Sequence, residues 1–307
     1  MSRIAVLRGG IGNAKIDSME SGQVCIDHYS KEHDVVDIVV DSDDKWFYNG
    51  SEVEPGKIMK GVDVAINALH GEAGENGKIQ RILSELGVRY NGAGSLGSAI
   101  SFSKFHSKKV YSENGIPSPH TIRISLEEND IQEVSSKLFT TMVLPMVIKP
   151  NRGHGWEHVY VAKNRDEIVS ALEEVSTFTN DIIIEEYIEG REVHVAVLEG
   201  FRNKEFYTSL GVEPNMKDED PQSYDLITKI PQEIREQIER YAIEAHRVLH
   251  MKNHSLSDFI VHPKRGIYIL ETTGLPLLGK DKPLSTGLEA AGGSVEEFLD
   301  HVIIKQK

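Results

Sequence analysis

Residues 257–276 read SDFIV, HPKRG and IYILETTGLP, and this stretch decides the fold. Two short apolar runs joined by a turn predict a β-hairpin in which Asp258 and Glu271 occupy neighbouring positions on adjacent strands. Two carboxylates placed in this way repel each other unless a cation lies between them, and hard oxygen ligands near a phosphate favour magnesium. The hairpin therefore predicts a metal site.

Two lysines upstream of this hairpin are candidates for phosphate binding. Lys149 ends the apolar run MVLPMVI, and Lys104 follows SAISFS at the expected start of a helix. A lysine at the end of a buried strand costs free energy unless an anion neutralises it. Gly153 and Gly155 in the loop NRGHG would let backbone N–H groups approach phosphate oxygens. A solvated surface lysine is the alternative for Lys104, and a plain turn is the alternative for the two glycines.

The acidic run IIIEEYIEGREV covers residues 182–193. The run from Glu185 through Glu186 and Tyr187 to Ile188 fits a hinge between two domains whose backbone could pair with the edge of an adenine. Glu192 could accept hydrogen bonds from ribose hydroxyls. The alternative is an edge strand with solvated glutamates. Taken alone, the local sequence favours this alternative.

Composition limits the classes of protein to which the chain could belong. Its 307 residues are enough for two or three domains, and 34 basic against 48 acidic residues give a net charge of −14. This charge argues against binding nucleic acid or an anionic membrane by general attraction. Cys25 is the only cysteine, the N-terminus shows no signal-peptide pattern, and no apolar run is long enough to span a membrane. We expect a cytoplasmic protein.

The chain divides into three parts by its patterning. Residues 1–100 alternate short apolar strands with helical segments, which predicts an α/β, Rossmann-like domain with a parallel sheet. Residues 101–185 read as a small α+β unit, and residues 186–307 as a larger unit that carries the hairpin. The predicted helices include 19–29 and 232–249, and a polar, proline-containing stretch at 213–222 separates the apolar run EVHVAVLEG from the second of these helices.

The order of lysine, lysine, acidic run and carboxylate pair resembles that of the ATP-grasp ligases. Residues 67–104, NALHGEAGENGKIQRILSELGVRYNGAGSLGSAISFSK, closely resemble the matching stretch of the D-alanine-D-alanine ligases. The resemblance continues through IKP, EEYIEGREV, SDF and YILE to GGSVEEFLDHVI near the C-terminus. It implies an ATP-grasp fold with a Rossmann-like N-terminal domain. It also implies that ATP phosphorylates one amino acid and that the amine of a second attacks the acyl phosphate.

The resemblance also implies roles for individual residues, ATP and Mg²⁺ as cofactors, and amino acids as substrates. The implied ATP contacts are Lys104, Lys149, Gly153, Gly155, Glu185, Tyr187, Ile188 and Glu192. The implied metal ligands are Asp258, Glu271 and Thr273, and the implied catalytic residues are His70, His154 and Lys229. Ser18, His70 and Glu75 would bind the first substrate, and Lys280 or Lys282 the second. A homodimer and a role in peptidoglycan synthesis for the cell wall are further implications.

Several positions depart from the family pattern, mostly near the amino-acid substrates. Ala14 stands where the family has a glutamate near the first substrate's amine, and Ile230 replaces a lid tyrosine. His154 and Gly155 replace a pair of serines, and a neutral imidazole at 154 could still form hydrogen bonds. Leu256 replaces an arginine.

These departures leave two alternatives beside a dipeptide-forming ligase. One is an ATP-grasp ligase for a different pair of amino acids, which the altered residues around the first substrate favour. The other is a nucleotide-binding homologue without ligase turnover, which Leu256 and Thr273 favour. Thr273 stands where the family has an asparagine, a better magnesium ligand, and both changes weaken the handling of the phosphoryl group.

Overall fold

The structure is a computed structural model that describes residues 1–127, 129–216 and 221–305. The polar stretch predicted at 213–222 therefore lies partly outside the described residues. The strands are β1 (Arg3–Gly9), β2 (Asp34–Val40), β3 (Trp46–Tyr48), β4 (Ser51–Val53), β5 (Val64–Asn67), β6 (Arg89–Tyr90), β7 (Thr121–Ser125), β8 (Met146–Pro150), β9 (Tyr160–Ala162), β10 (Asp181–Glu186), β11 (Arg191–Glu199), β12 (Phe206–Thr208), β13 (Val212–Met216), β14 (Pro221–Leu226), β15 (His254–His262) and β16 (Gly266–Thr273).

The helices alternate with these strands in the first part of the chain and flank them elsewhere. They are α1 (Gly12–Tyr29), α2 (Pro55–Ile58), α3 (Glu72–Glu75), α4 (Lys78–Glu85), α5 (Ser95–Phe102), α6 (Lys104–Glu113), α7 (Ile131–Thr141), α8 (Arg165–Ser176), α9 (Gln232–Val248), α10 (Pro283–Ala290) and α11 (Val295–Lys305). Helix α1 begins earlier than the predicted residue 19. Its first turns carry exposed residues such as Ile16, which is 61% exposed, so they show no apolar periodicity.

The first sheet has the strand order β4-β3-β2-β1-β5-β6. Strands β2, β1, β5 and β6 run parallel, as the sequence predicts. The hairpin of β3 and β4 is antiparallel and was not predicted. It turns at Asn49 and Gly50, whose φ angles of 49° and 77° suit the tight Asn-Gly turn that joins two adjacent strands.

The second sheet, β7-β10-β8-β9, is antiparallel and carries α7 and α8. Its core contains Leu138, Ile148, Ile168 and Ile184. This arrangement is the α+β unit that the sequence predicts. Strand β10, which contains the first part of the acidic run, lies inside the sheet, so the alternative of an edge strand is wrong there.

The third sheet has the order β14-β13-β11-β15-β16, with β12 paired to β11. Helix α9 packs on one face through Ile238 and Ala242 against Val193 and Val195. Successive residues of a strand point to opposite faces, so Glu192 and His194 lie on the other face. That face holds the candidate site.

A single hydrophobic core joins the first sheet to the C-terminal part of the chain. It contains Ile4 and Tyr29 together with Leu198, Phe298 and Leu299, and Tyr29 Oη donates to the backbone oxygen of Leu299 at 3.0 Å. The domain boundaries at 100 and 185 stay a prediction. Within the described residues, no helix combines the length and the apolar character that crossing a membrane requires.

Candidate active site

The two predicted phosphate lysines are buried and paired with carboxylates. Lys104, at the start of α6, is 8% exposed and lies 2.5 Å from Glu271. Its Nζ also donates to the backbone oxygen of Gly153 at 3.3 Å. Lys149, on β8, lies 2.9 Å from Glu185. The alternative of a solvated surface lysine for Lys104 is therefore wrong.

Glu185 lies between two lysines in the interior of the second sheet. It is 2% exposed, and its two oxygens lie 2.9 Å from Lys149 and 2.9 Å from Lys108. Burial alone would raise the pKa of this carboxyl, but the charges of Lys108 and Lys149 outweigh it and lower the pKa. The idea of a solvated glutamate at this position is wrong, because the carboxylate faces the lysines.

Lys108 is a third cation of the site, and sequence reasoning missed it. Burial lowers the pKa of its ammonium to about 8, with the nearby charge of Lys149 adding to the effect and that of Glu185 opposing it. Its Nζ also donates to the backbone oxygen of Leu270 at 2.5 Å. The spacing of Lys104 and Lys108, four residues apart on one helix, was the available signal because it puts both on one face.

The predicted carboxylate pair is formed as expected, since Asp258 on β15 stands opposite Glu271 on β16. Each carboxylate is already paired with a cation of the chain: Glu271 with Lys104, and Asp258 with His194 at 2.5 Å. Burial would raise the pKa of Glu271, but the charges of Lys104 and Lys149 lower it to about 2.

The donor set fits Mg²⁺, which usually takes one or two carboxylates together with phosphate oxygens. Among the described residues, no group of three or more His, Cys, Asp or Glu side chains could hold a metal without such help. Thr273, the third predicted ligand, lies two residues beyond Glu271 and donates its hydroxyl to Glu75 at 2.9 Å.

His194, on β11, was not identified from the sequence. It is 5% exposed, and its ring lies between Asp258 at 2.5 Å and Glu192 at 3.2 Å. Burial opposes protonation of this ring, but the two carboxylates raise its pKa to about 10. Glu192, predicted to meet ribose, is thus oriented by an imidazolium. The edge of the His194 ring also packs against Tyr224, with centroids 5.0 Å apart.

A second cluster contains His70 and Glu75, two of the three residues predicted for the first substrate, together with His154. His70 is 2% exposed and its Nε2 lies 2.9 Å from Ser21 Oγ. Glu75 accepts hydrogen bonds from Gly71 N and from Thr273 Oγ1, both at 2.9 Å. The His154 ring stacks on that of His70, with centroids 5.5 Å apart.

His154 lies between two carboxylates and is not neutral. Its Nδ1 is 3.4 Å from Glu75 and its Nε2 is 3.3 Å from Asp17. Burial opposes protonation, but the neighbouring carboxylates of Asp17 and Glu75 outweigh it and raise the pKa of His154 to about 10. The prediction of a neutral imidazole at this position is therefore wrong. In contrast, burial lowers the pKa of His70 to about 4, so His70 is neutral at pH 7.

Of the remaining predicted residues, one lies in the second cluster and the others lie elsewhere. Lys282 lies 3.5 Å from Asp17 and belongs to the second cluster, whereas Lys280 and Lys229 are exposed. Ser18 is fully buried and accepts a hydrogen bond from Gly9 N at 2.9 Å. The Ser18 hydroxyl therefore bonds to the backbone of the N-terminal part of the chain. Along the hinge, Ile188 is buried at 7% exposure, whereas Tyr187 is 40% exposed.

The similarity of this chain to known proteins is consistent with the site. A family model described as "D-ala D-ala ligase C-terminus" matches residues 110–304, which is more than half of the chain. The chain belongs to the D-alanine-D-alanine ligase family. A curated D-alanine-D-alanine ligase of Clostridium beijerinckii is 28% identical over 310 residues, and the match covers 98% of this chain and 97% of that relative.

Solved structures of the D-alanine-D-alanine ligase family have the same fold. A crystal structure of the Bacillus anthracis enzyme complexed with ATP gives a TM-score of 0.80 at 26% identity and covers 100% of this chain and 97% of that one. The VanG D-Ala:D-Ser ligase of Enterococcus faecalis gives 0.85 at 21% identity, covering 100% and 99%, a likeness in fold alone. The predicted ATP-grasp fold is confirmed.

Within this D-alanine-D-alanine ligase family member, Asp17 is the third residue that the sequence did not reveal. It lies on α1, three residues after Ala14, and so on the same side of the helix. A Cβ added at Gly71 would meet the Ala14 methyl at 3.0 Å and His154 Cβ at 3.5 Å, so the three residues are close neighbours. The available signal for Asp17 was its spacing from Ala14, because residues three apart on a helix lie on the same side.

Proposed function

We propose that the protein is an ATP-dependent carboxylate-amine ligase that joins two molecules of D-alanine through an acyl phosphate. Family membership with coverage of nearly the whole length is the observation that carries this proposal. The buried lysines and the carboxylate pair supply the charges that phosphoryl transfer requires, because this chemistry depends mainly on positioning and on neutralising charge.

The buried lysines and the carboxylate pair would serve ATP and Mg²⁺. Lys104 and Lys149 would exchange their glutamates for phosphate oxygens, and the backbone near Ile188 would meet the adenine. Asp258 and Glu271, with Thr273 nearby, would hold Mg²⁺, which when bound neutralises phosphate charge. The ion pairs described above keep these buried side chains paired until the anion and the metal arrive together.

The residues of the second cluster would bind the first D-alanine. His70, neutral and fixed by Ser21, offers a hydrogen bond, and Glu75 is oriented by Gly71 and Thr273. Lys282 belongs to this cluster and would bind the carboxylate of the second D-alanine. An acyl phosphate hydrolyses easily, so residues 223–231, which include the exposed Lys229 and in which Tyr224 packs against His194, would cover the site.

Phosphate release from Mg-ATP with D-alanine, with mass spectrometry of the products, tests this proposal. We expect D-alanyl-D-alanine, and we expect Lys149→Ala and Glu271→Gln each to lower kcat by about 100-fold or more. Lys264→Ala and Glu289→Gln remove exposed charges elsewhere and should retain activity. ATP binding without stimulated phosphate release would instead favour the homologue without turnover, and a different product would identify another amino-acid pair.

We also propose that the enzyme is a cytoplasmic homodimer that serves peptidoglycan synthesis in the cell wall. The family suggests this role, and the single cysteine suggests a reducing compartment. Sedimentation equilibrium at micromolar concentration should give about twice the 34.3 kDa mass of the chain. A monomer mass at all concentrations would reject the dimer.

A further inference from the structure

Four charged side chains form a compact group at the first-substrate end of the site. We call this group, Asp17, Glu75, His154 and Lys282, the imidazolium cluster. His154 touches both carboxylates at 3.3 and 3.4 Å, and Lys282 lies 3.5 Å from the outer oxygen of Asp17. Two negative charges thus surround one protonated ring, with a second cation at the edge.

The protonated ring comes from a different part of the chain than the two carboxylates. Asp17 lies on α1 and Glu75 on α3, both beside the first sheet, whereas His154 lies on the glycine-rich loop between β8 and β9. Glycines flank His154 on both sides, and Gly155 has a φ of 66°. The loop can therefore change its course around His154 at little steric cost.

The carboxylates do not depend on His154 alone for their position. Glu75 is held by Gly71 N and Thr273 Oγ1, and Asp17 lies beside Lys282. If the His154 ring moved away, two oriented carboxylates would lose the cation that now lies between them. The buried His70 ring adjoins this place, and its Nδ1 has no hydrogen-bond partner among the described residues.

We propose that the His154 imidazolium holds the place of the α-ammonium of the first amino acid, and that Asp17 with Glu75 binds this ammonium once His154 withdraws. This inference rests on the proposed ligase function. Asp17 then supplies the negative charge that Ala14 lacks, from a position one helical turn further along α1. Binding of the first substrate is an exchange of one cation for another.

The exchange should change the protonation state of His154. The pKa of His154 is about 10 in the cluster and returns towards its ordinary value of 6.5 once the ring reaches water. At pH 8 the displaced ring therefore loses its proton. The groups that face the ring are Asp17, Glu75 and the neutral His70, with Lys282 behind Asp17. Binding of D-alanine should release close to one proton per site.

Imidazole NMR of protein labelled at histidine Cε1 tests the exchange, with Mg²⁺ and a non-hydrolysable ATP analogue present. His154→Asn identifies the His154 signal by its loss, and His158→Asn is the matched control on the same loop, where His158 stacks on Phe178. At pH 8, saturating D-alanine should move the His154 signal from its protonated to its neutral position. D-lactate, which lacks the ammonium, should leave the signal in place.

Substrate affinities measured by calorimetry are a second test of the exchange. His154→Asn removes the competing cation, so D-alanine should bind about tenfold more tightly, because the cation site is always vacant. Asp17→Asn should weaken D-alanine binding by about 30-fold and leave D-lactate unaffected. His158→Asn should change neither affinity.

Two outcomes would overturn the exchange: a His154 signal that stays protonated at saturation, or a D-alanine affinity unchanged in Asp17→Asn. The dipeptide assay with the wild-type protein tests the ligase function independently of the exchange. Absence of D-alanyl-D-alanine with a moving His154 signal would reject the proposed function but leave the exchange intact. Dipeptide formation with a His154 signal that stays protonated would support the ligase function and reject the exchange.

Discussion

At the scale of single residues, most charges of the site are matched by charges of the same chain. Glu185 shows this most clearly, because it is 2% exposed and lies between Lys108 and Lys149. Buried ions lose hydration, which only close partners can compensate. Removing one partner from such a group therefore costs more free energy than the pair contributes.

Glu185→Gln should lower the free energy of unfolding by about 3 kcal/mol, since two buried lysines would then lack a full counter-charge. Urea unfolding followed by circular dichroism measures the change. Glu186→Gln is the matched control on the same strand. It removes a partner of the half-exposed Arg265 and should cost less than about 1 kcal/mol. Equal losses in the two variants would show that Glu185 is not the counter-charge of the lysines.

At the scale of elements, helix α6 is fixed to strand β16 by one face. Lys104, Lys108 and Tyr111 follow one another at helical spacing and contact Glu271, the Leu270 backbone and Thr272. Tyr111 Oη donates to Thr272 Oγ1 at 2.8 Å, and Thr272 in turn contacts Ser257 Oγ at 2.8 Å. This buried chain of hydroxyls sets the distance between the lysines and the carboxylate pair.

Tyr111→Phe should lower the free energy of unfolding by about 1–2 kcal/mol, because it leaves the buried Thr272 hydroxyl without one partner. It should also reduce kcat, since the lysines of α6 would lose a fixed position. Tyr241→Phe is the control, because Tyr241 is bonded to Gln237 within its own helix, a contact that contributes about 0.5 kcal/mol or less. An unchanged stability in Tyr111→Phe would contradict this account.

At the scale of the whole molecule, the N-terminal and C-terminal parts share one core. Tyr29 and Ile4 pack with Phe298 and Leu299, so helix α11 covers a face of the first sheet. Trp46, on the opposite face of that sheet, is 1% exposed and can report its unfolding. The two ends of the chain should therefore unfold together.

Phe298→Ala should destabilise the protein by about 3–5 kcal/mol through the cavity that it leaves. In a Trp156→Phe background Trp46 is the only tryptophan, and its fluorescence should unfold at the same urea concentration as the circular dichroism signal. Phe139→Ala, which truncates a side chain that is 45% exposed, should change little. A Trp46 transition that does not shift with Phe298→Ala would show that the first sheet is stable without α11.

Much of this arrangement could be predicted from local sequence. The pairing of Asp258 with Glu271 follows from a short hairpin, and the parallel strands follow from their apolar runs. The contacts of His154 with Asp17, and of His194 with Asp258, join positions far apart in the chain. No local pattern encodes such contacts, so the charge of His154 could not be inferred. The roles of the site residues in catalysis stay predictions.

Cys25 is the only thiol of the chain and is fully buried on α1, where burial raises its pKa to about 12. The thiolate is the reactive form, so maleimide dyes will leave the native side chain unmodified. Two cysteines introduced on the glycine-rich loop and on α1 can then carry donor and acceptor fluorophores, and Cys25 itself need not be replaced. Single-molecule energy transfer between the dyes would follow the movement of that loop directly, one turnover at a time.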